Sequence, residues 1–224
     1  MKRYRIDEMG LRTMERNRFD QKTRRAPSGA AVPRAELTAA LYRALFTEWA
    51  EHGFAAVSLE RVAARAGAGK AAIYRRWSSR LEFAAEAIWS VGLDMAPVED
   101  CGSLERDILA FLTRLRAVLR HPLVRRILPD LHAESVRSPG MGAIHARVAE
   151  ARRMRGAALI ERAVARGELD DTIDRSIALD CLPAQLYWRM IVTGASVSRT
   201  QLAQLAAAIA AELRSFCSAD PGRH

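Results

Sequence analysis

Apolar residues recur at helical spacing along nearly the whole chain after Pro33. In the first such stretch Leu41, Leu45 and Trp49 share one helical face, and Gly53 is a natural C-terminal stop. No segment shows the sustained alternation of apolar and polar residues that is typical of a β-strand, and no internal repeat is visible. The sequence therefore predicts an all-α protein.

Two short helices are predicted after this first helix. Ser58 is well placed to cap the first of them, and Gly67 provides the turn at its end because glycine adopts positive φ without strain. The second short helix runs from Gly69 or Lys70 to Trp77. Two short helices packed on a preceding helix have the topology of a helix-turn-helix.

The second short helix has two distinct faces. Ile73 and Trp77 are four residues apart and are expected to anchor it to the core, while the small side chains of Ala63 and Ala66 let the two helices cross closely. The remaining side chains are expected to face solvent or a DNA major groove: Lys70, Ala71, Ala72, Tyr74, Arg75 and Arg76.

The positive charge is concentrated in the first third of the chain. Residues 1–84 contain 17 Lys and Arg against 9 Asp and Glu, a net charge of +8, whereas residues 85–224 contain 18 against 17, a net charge of +1. A basic segment attached to a nearly neutral body suits a module that binds a polyanion. Residues 1–32 are predicted to be a disordered or mobile basic arm, which either enters a minor groove or remains a solvated tail.

The helix-turn-helix residues resemble the TetR family of bacterial regulators. The resemblance is carried by Gly53-Phe54, Val57-Ser58-Leu59, Val62-Ala63, Ala66-Gly67 and Lys70-Ala71-Ala72-Ile73-Tyr74-Arg75-Arg76-Trp77. About 30 residues match the family pattern in order and spacing. The resemblance implies a homodimer that binds a palindromic DNA operator as a transcription regulator, most simply a repressor released by a small-molecule effector.

The resemblance also implies roles for individual residues. Lys70, Ala71 and Arg75 correspond to contacts with base edges or the groove floor, with Ala72 beside them, and Tyr74 and Arg76 correspond to phosphate contacts. Ser58 and Arg80 would add phosphate hydrogen bonds at helix N-termini. Three positions depart from the family pattern: Gly69 replaces a Ser cap, Ala71 replaces a Gly, and Arg80 replaces a Lys.

The resemblance to the TetR family is weaker in the C-terminal part of the chain. The segments Arg166-Gly167-Glu168-Leu169 and Leu186-Tyr187-Trp188-Arg189 are similar to one subgroup of TetR-type C-terminal domains. By this resemblance the last two helices, predicted over 174–195 and 199–217, form a four-helix dimer interface with a second copy, and their apolar residues exceed the needs of one core face. The interface candidates are Ile177, Cys181, Ile191, Leu202, Leu205, Ile209 and Leu213.

The family resemblance further implies an effector pocket among the central helices. Its candidate lining residues are Trp89, Phe111, Leu115, Leu128, His132, Met141, His145 and Trp188, and the alternative for each is ordinary core packing. The predicted domains are thus the arm, a DNA-binding domain over 33–80, and a helical ligand-binding and dimerisation domain over 81–218.

Other classes of protein have little support. The five histidines form no HxxxH or ExxH pair and no nucleotide-binding or hydrolase motif appears, so neither an enzyme nor a metal or other cofactor is expected. The scattered Cys101, Cys181 and Cys217 favour reduced thiols, and no secretory signal or bilayer-spanning run is present, which predicts a cytoplasmic protein without a membrane partner. The alternatives that stay open are a transcription activator and, in a different class, a helical small-molecule-binding protein or enzyme that does not bind DNA.

Overall fold

The structure is a computed structural model that describes residues 4–6, 12–14, 34–92 and 99–216. The chain divides into two compact units, Met1–Asp94 and Met95–His224. Apart from turns and loops, the described residues are helical except for one antiparallel pair of three-residue strands, β1 (Tyr4–Ile6) and β2 (Arg12–Met14), in register from Tyr4 opposite Met14. The fold is therefore all-α as predicted, and the rest of the basic arm lies outside the described residues.

Residues 34–92 of the first unit form four α-helices and one short 3₁₀ turn. They are α1 (Arg34–His52), the 3₁₀ turn Phe54–Ala56, α2 (Leu59–Arg65), α3 (Lys70–Tyr74) and α4 (Arg80–Gly92). Their core is aromatic: the Trp77 ring centroid lies 4.2 Å from that of Phe83 and 6.2 Å from that of Tyr42. The sequence places a domain boundary at residue 80, whereas the compact unit includes α4, because Phe83 completes this aromatic core.

The described part of the second unit, residues 99–216, contains five long helices. They are α5 (Leu104–Leu119), α6 (Pro122–Arg137), α7 (Pro139–Ala165), α8 (Arg175–Tyr187), which continues as a π-helical turn (Trp188–Val192), and α9 (Arg199–Phe216). The chain changes direction at Ser138, which ends α6 and accepts a hydrogen bond from the backbone N–H of Met141 to begin α7. One apolar core, to which α5, α7, α8 and α9 all contribute buried side chains, holds the unit together.

The Arg166-Gly167-Glu168-Leu169 segment ties α7 to the start of α5. Gly167 has a φ of +71°, which turns the chain so that the Glu168 carboxylate accepts the backbone N–H of Leu104 at 2.9 Å. Arg166 binds the buried carboxylate of Asp107 at 3.1 Å. The segment that carries the C-terminal resemblance therefore fixes the N-terminal turn of α5 against the end of α7.

Among the described residues, no helix combines the length and the apolar character that crossing a bilayer requires.

Candidate nucleic-acid interface

The turn between α2 and α3 has the geometry that the sequence predicts. The Ser58 hydroxyl accepts a hydrogen bond from the backbone N–H of Arg61 at 3.3 Å and so caps α2. Gly67 has a φ of +65°, the left-handed conformation that a non-glycine residue adopts only with strain. Gly69 begins α3 without a side-chain hydrogen bond, as the missing Ser cap implies.

Two buried side chains anchor α3 to the core of the first unit. Ile73 and Trp77 are both buried, as are Val62 and Ala63 on α2. The Trp77 indole N–H also donates to the Glu86 carboxylate at 2.7 Å, and the Tyr42 hydroxyl donates to the other oxygen of that carboxylate at 2.5 Å. The predicted anchoring of α3 by Ile73 and Trp77 is therefore confirmed.

The opposite face of α3 is open to solvent. Lys70, Ala71, Tyr74 and Arg75 are exposed, and Ala72 is half-buried. The Tyr74 ring lies 5.4 Å from the ammonium of Lys70. The sequence-predicted set therefore lies together on one surface of a short helix.

Lys70 is not a free cation, because it forms an ion pair with Glu60 on α2. Glu60 also accepts a hydrogen bond from the Ser58 hydroxyl at 3.0 Å. The hydrogen bond from Lys70 lowers the pKa of Glu60 to about 2, and the same bond raises the pKa of Lys70. Both groups are therefore charged at neutral pH, and this pairing was not anticipated from the sequence.

Arg76 and Arg80 have internal partners in the structure, and their role as phosphate contacts stays a prediction. Arg76 donates to the Thr38 hydroxyl at 2.7 Å and stacks on the Trp77 ring, with its guanidinium carbon 4.2 Å from the ring centroid. Arg80 donates to the carbonyl of Ala55 at 2.7 Å and to that of Val57 at 3.2 Å. Their guanidinium groups have internal partners, so both residues position the helices that surround α3.

A second group of charges links α1 to α2 and was missed by the sequence analysis. Glu48 is fully buried and binds the Nε of Arg61 at 2.5 Å, while Glu51 binds Arg65 at 2.5 Å. Burial opposes ionisation of Glu48, but the hydrogen bonds from Arg61 and from the Ser58 backbone N–H outweigh it and keep the pKa of Glu48 below its usual value. Only the spacing of these acids from two arginines on the next helix could have indicated the pairing.

Glu48, Glu51 and His52 also present possible metal-ligand atoms within 4.8 Å of one another. Their carboxylates already neutralise two arginines. The adjacent guanidinium groups would repel a divalent cation, so the cluster is better explained as an ion-pair network.

The predicted pocket residues of the second unit are only partly brought together. His132 Nε2 and the Tyr187 hydroxyl are 2.7 Å apart, and the His132 and His145 rings pack edge to face with centroids 5.0 Å apart. Burial lowers the pKa of both histidines and raises the pKa of Tyr187. This cluster contains two predicted residues and one, Tyr187, that the sequence analysis did not select.

The other predicted pocket residues differ in their surroundings. Phe111, Leu115 and Leu128 are partly buried against the core of the second unit, and Met141 is fully buried. Trp89 belongs to α4 in the first unit and is exposed. Trp188 lies in the π-helical turn and is 60% exposed, so its own chain does not enclose it and its role in an effector pocket stays a prediction.

The predicted interface residues divide into buried, exposed and partly buried ones. Leu202, Ile209 and Leu213 of α9 are buried within the core of the single chain and cannot contact a second copy, so their assignment to the interface is corrected. Ile177 is 51% exposed, and the partly buried group comprises Cys181, Ile191 and Leu205. An apolar stripe in a sequence does not reveal whether it packs against its own chain or against another.

This fold and this surface define a helix-turn-helix DNA-binding protein, in which a short helix with a basic outer face is braced by a second helix. The comparison with known families agrees. Residues 41–87 match the model described as bacterial regulatory proteins of the tetR family, and residues 98–209, half of the chain, match the model described as the Tetracyclin repressor-like C-terminal domain. The chain belongs to the TetR family of transcription regulators, which act by binding DNA and are not enzymes.

Individual relatives support the same assignment. The HTH-type transcriptional regulator YdeS of Bacillus subtilis is 28% identical over 182 residues, which cover 77% of this chain and 88% of the relative. The DNA-binding transcriptional repressor TetR of Mycobacteroides abscessus is 32% identical over 148 residues, which cover 63% of this chain and 75% of the relative. A solved transcriptional regulator from Pseudomonas aeruginosa PAO1 has the same fold, with a TM-score of 0.67 at 18% identity over 83% of this chain and 93% of its own.

Proposed function

We propose that the chain is a cytoplasmic repressor that binds a palindromic operator as a homodimer and is released by a small-molecule effector. The observation that carries the DNA-binding part is the exposed face of α3 backed by the buried Ile73 and Trp77. A helix held in this way presents its outer side chains to a groove without first having to fold. The family's DNA-binding role supports the same proposal.

Arg75 is the residue we assign to direct base recognition. It is exposed, and among the described residues its guanidinium forms no ion pair, so it pays no cost of breaking an internal contact on binding. An arginine that binds guanine through two hydrogen bonds is the commonest specific contact in the major groove. Lys70 would read a base edge only after exchanging Glu60 for DNA, and Ala71 and Ala72 would contact the groove floor.

Phosphate contacts are assigned to Tyr74 and Ser58. The Tyr74 hydroxyl is on the exposed side of α3, where it is able to donate to a phosphate oxygen. Ser58 lies at the N-terminus of α2, where backbone N–H groups and the helix dipole favour an anion. These contacts would position α3 without reading sequence.

The dimer proposal is supported by an apolar surface on α8, the π-helical turn and α9. Its exposed members are Ile177, Trp188, Val192 and Phe216. Beside them lies an open groove of about 450 Å³ that is lined by Trp188, Arg189 and Leu205. Exposed apolar residues grouped on two helices mark an interaction surface, and a second copy packing there would form a four-helix interface.

The effector proposal is supported by the cluster of His132, His145 and Tyr187. Polar side chains that converge among apolar ones are the usual means by which a pocket orients a small ligand. A coupling free energy of about 1–3 kcal/mol between such a ligand and the operator would change DNA affinity about 5- to 150-fold.

The proposal is tested by footprinting on DNA that flanks the gene of this protein, followed by binding measurements on the protected fragment. Arg75→Ala should weaken binding by about 1–3 kcal/mol and relax sequence preference at one base position of each half-site. Arg106→Ala, which removes an exposed arginine from α5, is the matched control and should bind as the wild type does. A protein that ignores duplex DNA at low ionic strength, or an Arg75→Ala variant with unchanged affinity and preference, would contradict the proposal.

A further inference from the structure

A basic cavity of about 300 Å³ lies in the second unit, apart from the pocket cluster of His132, His145 and Tyr187. Four chain segments contribute to its wall: the C-terminal end of α5, the first turns of α6, the π-helical turn, and the loop that leads into α9 together with the first turn of α9. Its polar lining residues are Arg116, Arg120, Arg125, Ser196, Ser198 and Gln201. Its size is at the lower end of the range for small-molecule sites.

The three arginines are not neutralised by the protein. Among the described residues, neither Arg116 nor Arg120 forms an ion pair, and Arg125 donates only to the backbone carbonyl of Gly194 at 3.0 Å. No Asp or Glu of the described chain lines the cavity. Some arginines elsewhere in this unit are paired, as Arg166 is with Asp107 and Arg153 is with Asp180. What distinguishes this cavity is that three arginines line it together and that no carboxylate of the described chain lines it with them.

Helix-end electrostatics explains only part of this arrangement. Arg116 and Arg120 lie near the C-terminus of α5, where the helix dipole favours a cation. Arg125 lies in the first turns of α6, where the dipole disfavours a cation, and neither α6 nor α9 has an acidic residue in its first turn. The negative end of α5 offsets only part of this charge, because the positive ends of α6 and α9 and three guanidinium groups meet at the same cavity, and the sum favours an anion.

The cavity is also partly ordered before any ligand arrives. The bond from Arg125 to Gly194 fixes one guanidinium, and Ser198 and Gln201 hold each other through reciprocal bonds, with the Ser198 N–H at 2.8 Å from the Gln201 side-chain oxygen. Side chains that are held in place lose less entropy when a ligand binds.

We propose that this cavity binds the phosphate group of a small phosphorylated molecule, with Arg116, Arg120 and Arg125 as the binding residues. The planar guanidinium group donates two parallel hydrogen bonds to phosphate oxygens, and three of them match the charge of a mono- or diphosphate. The volume accommodates a ligand larger than a single inorganic ion. This site would be a second regulatory input, independent of the proposed effector cluster and of the DNA-binding surface.

The experiment is calorimetric titration of the full-length protein with sodium pyrophosphate at constant ionic strength. The double variant Arg116→Gln/Arg120→Gln should bind pyrophosphate at least about tenfold more weakly, because two charge-assisted contacts are lost. The single variant Arg120→Gln, which changes an exposed residue, should be intermediate. The matched control is Arg106→Gln/Arg126→Gln, which removes two exposed arginines from the same helices outside the cavity and should stay within about twofold of wild type.

Further arms separate this site from other anion-binding surfaces. Lys70→Gln/Arg75→Gln, with the same loss of charge in the first unit, should retain pyrophosphate binding; loss of binding there instead would place the anion on α3 and overturn the proposal. Equal binding by wild type and Arg116→Gln/Arg120→Gln would also overturn it. Two further results for Arg116→Gln/Arg120→Gln would overturn the proposal. A shallower salt dependence of its DNA binding, measured without pyrophosphate, would assign the arginines to DNA. Its dissociation to monomers in light scattering would assign them to carboxylates of a second copy.

Discussion

Replacement of Ile73 tests the physical basis of the DNA-binding surface directly. α3 contains five residues, whereas isolated helices shorter than about 12–15 residues are marginal in water. Its conformation therefore depends on packing, and Ile73 is the one side chain within Lys70–Tyr74 that is fully buried. Ile73→Val removes one methyl group from this anchor, and Ile73→Ala removes most of the side chain.

The expected magnitudes follow from the size of the unit. At about 0.05–0.15 kcal/mol per residue, the 59 residues described from 34 to 92 correspond to a stability of about 3–9 kcal/mol. Ile73→Ala in a fully buried position costs about 2–5 kcal/mol and Ile73→Val about 0.5–1.5 kcal/mol. The larger change approaches the whole stability of the unit. Undocking α3 breaks fewer contacts than global unfolding, so the docked fraction should fall before the unit unfolds.

DNA affinity should report that fraction, because the apparent Kd equals the intrinsic Kd divided by the docked fraction. We expect at least about tenfold weaker operator binding for Ile73→Ala and less than about threefold for Ile73→Val, measured by fluorescence anisotropy. Hydrogen exchange should show faster exchange at Arg76 and Trp77, whose N–H groups bond to the carbonyl of Ile73. The control Val136→Ala, at a surface position, should change neither. An Ile73→Ala variant with unchanged urea midpoint and protected amides would refute the anchoring argument.

Four further predictions follow from the described contacts. Gly67→Ala should cost about 1–2 kcal/mol in urea unfolding, because an added Cβ meets no atom within 4 Å and only the positive φ opposes it. Gly69→Ala, equally open and at a φ of −74°, should cost less, because only the preference of the N-cap position for glycine over alanine opposes it. Glu48→Gln should lose about 1–2 kcal/mol, since the amide keeps the shape but not the charge that binds Arg61, whereas the control Glu51→Gln at a surface pair should change stability by less than about 0.5 kcal/mol. Burial lowers the pKa of His132 and His145 in the folded state, so the unfolded chain takes up protons first and thermal stability should fall as pH drops below about 6.5. The double variant His132→Gln/His145→Gln should show a flatter dependence of thermal stability on pH. An unchanged dependence would contradict the assignment of this effect to the two histidines. Removal of residues 1–33 should reduce the slope of log K against log salt for DNA binding by at least about 1, and an equal slope would mean that the arm makes no phosphate contact.

Features that depend on local sequence were predictable. Ser58, Gly67 and Ser138 act through hydrogen bonds and backbone angles within a few residues, so their effects can be read from the chain directly. The inward positions of Ile73 and Trp77 follow from helical spacing alone. The all-α class and the course of the helices follow from the same short-range rules.

Features that depend on long-range pairing were not predictable. The sequence shows that Arg76 and Arg80 are basic and next to the recognition helix, but it does not show that Thr38 and the carbonyl of Ala55 lie within reach of them. The same limit applies to α9, where a regular apolar stripe suits an interface and a core equally well. Only the packing of α5 against α9 assigns Leu202 and Ile209 to the core.

The distribution of charge then separates affinity from specificity. Of the net +8 in residues 1–84, residues 1–33 carry 9 Lys and Arg against 4 Asp and Glu, a net of +5. Within the first unit Lys70 is paired with Glu60 and Arg61 with Glu48, so these cations bring little unscreened charge to DNA. Counterion release by the arm would therefore supply most of the sequence-independent affinity, while Arg75, exposed and without an ion pair among the described residues, would supply discrimination between bases. On our proposal the basic composition of the N-terminal third would attract the DNA polyanion, and Arg75 rather than the arm would read the operator.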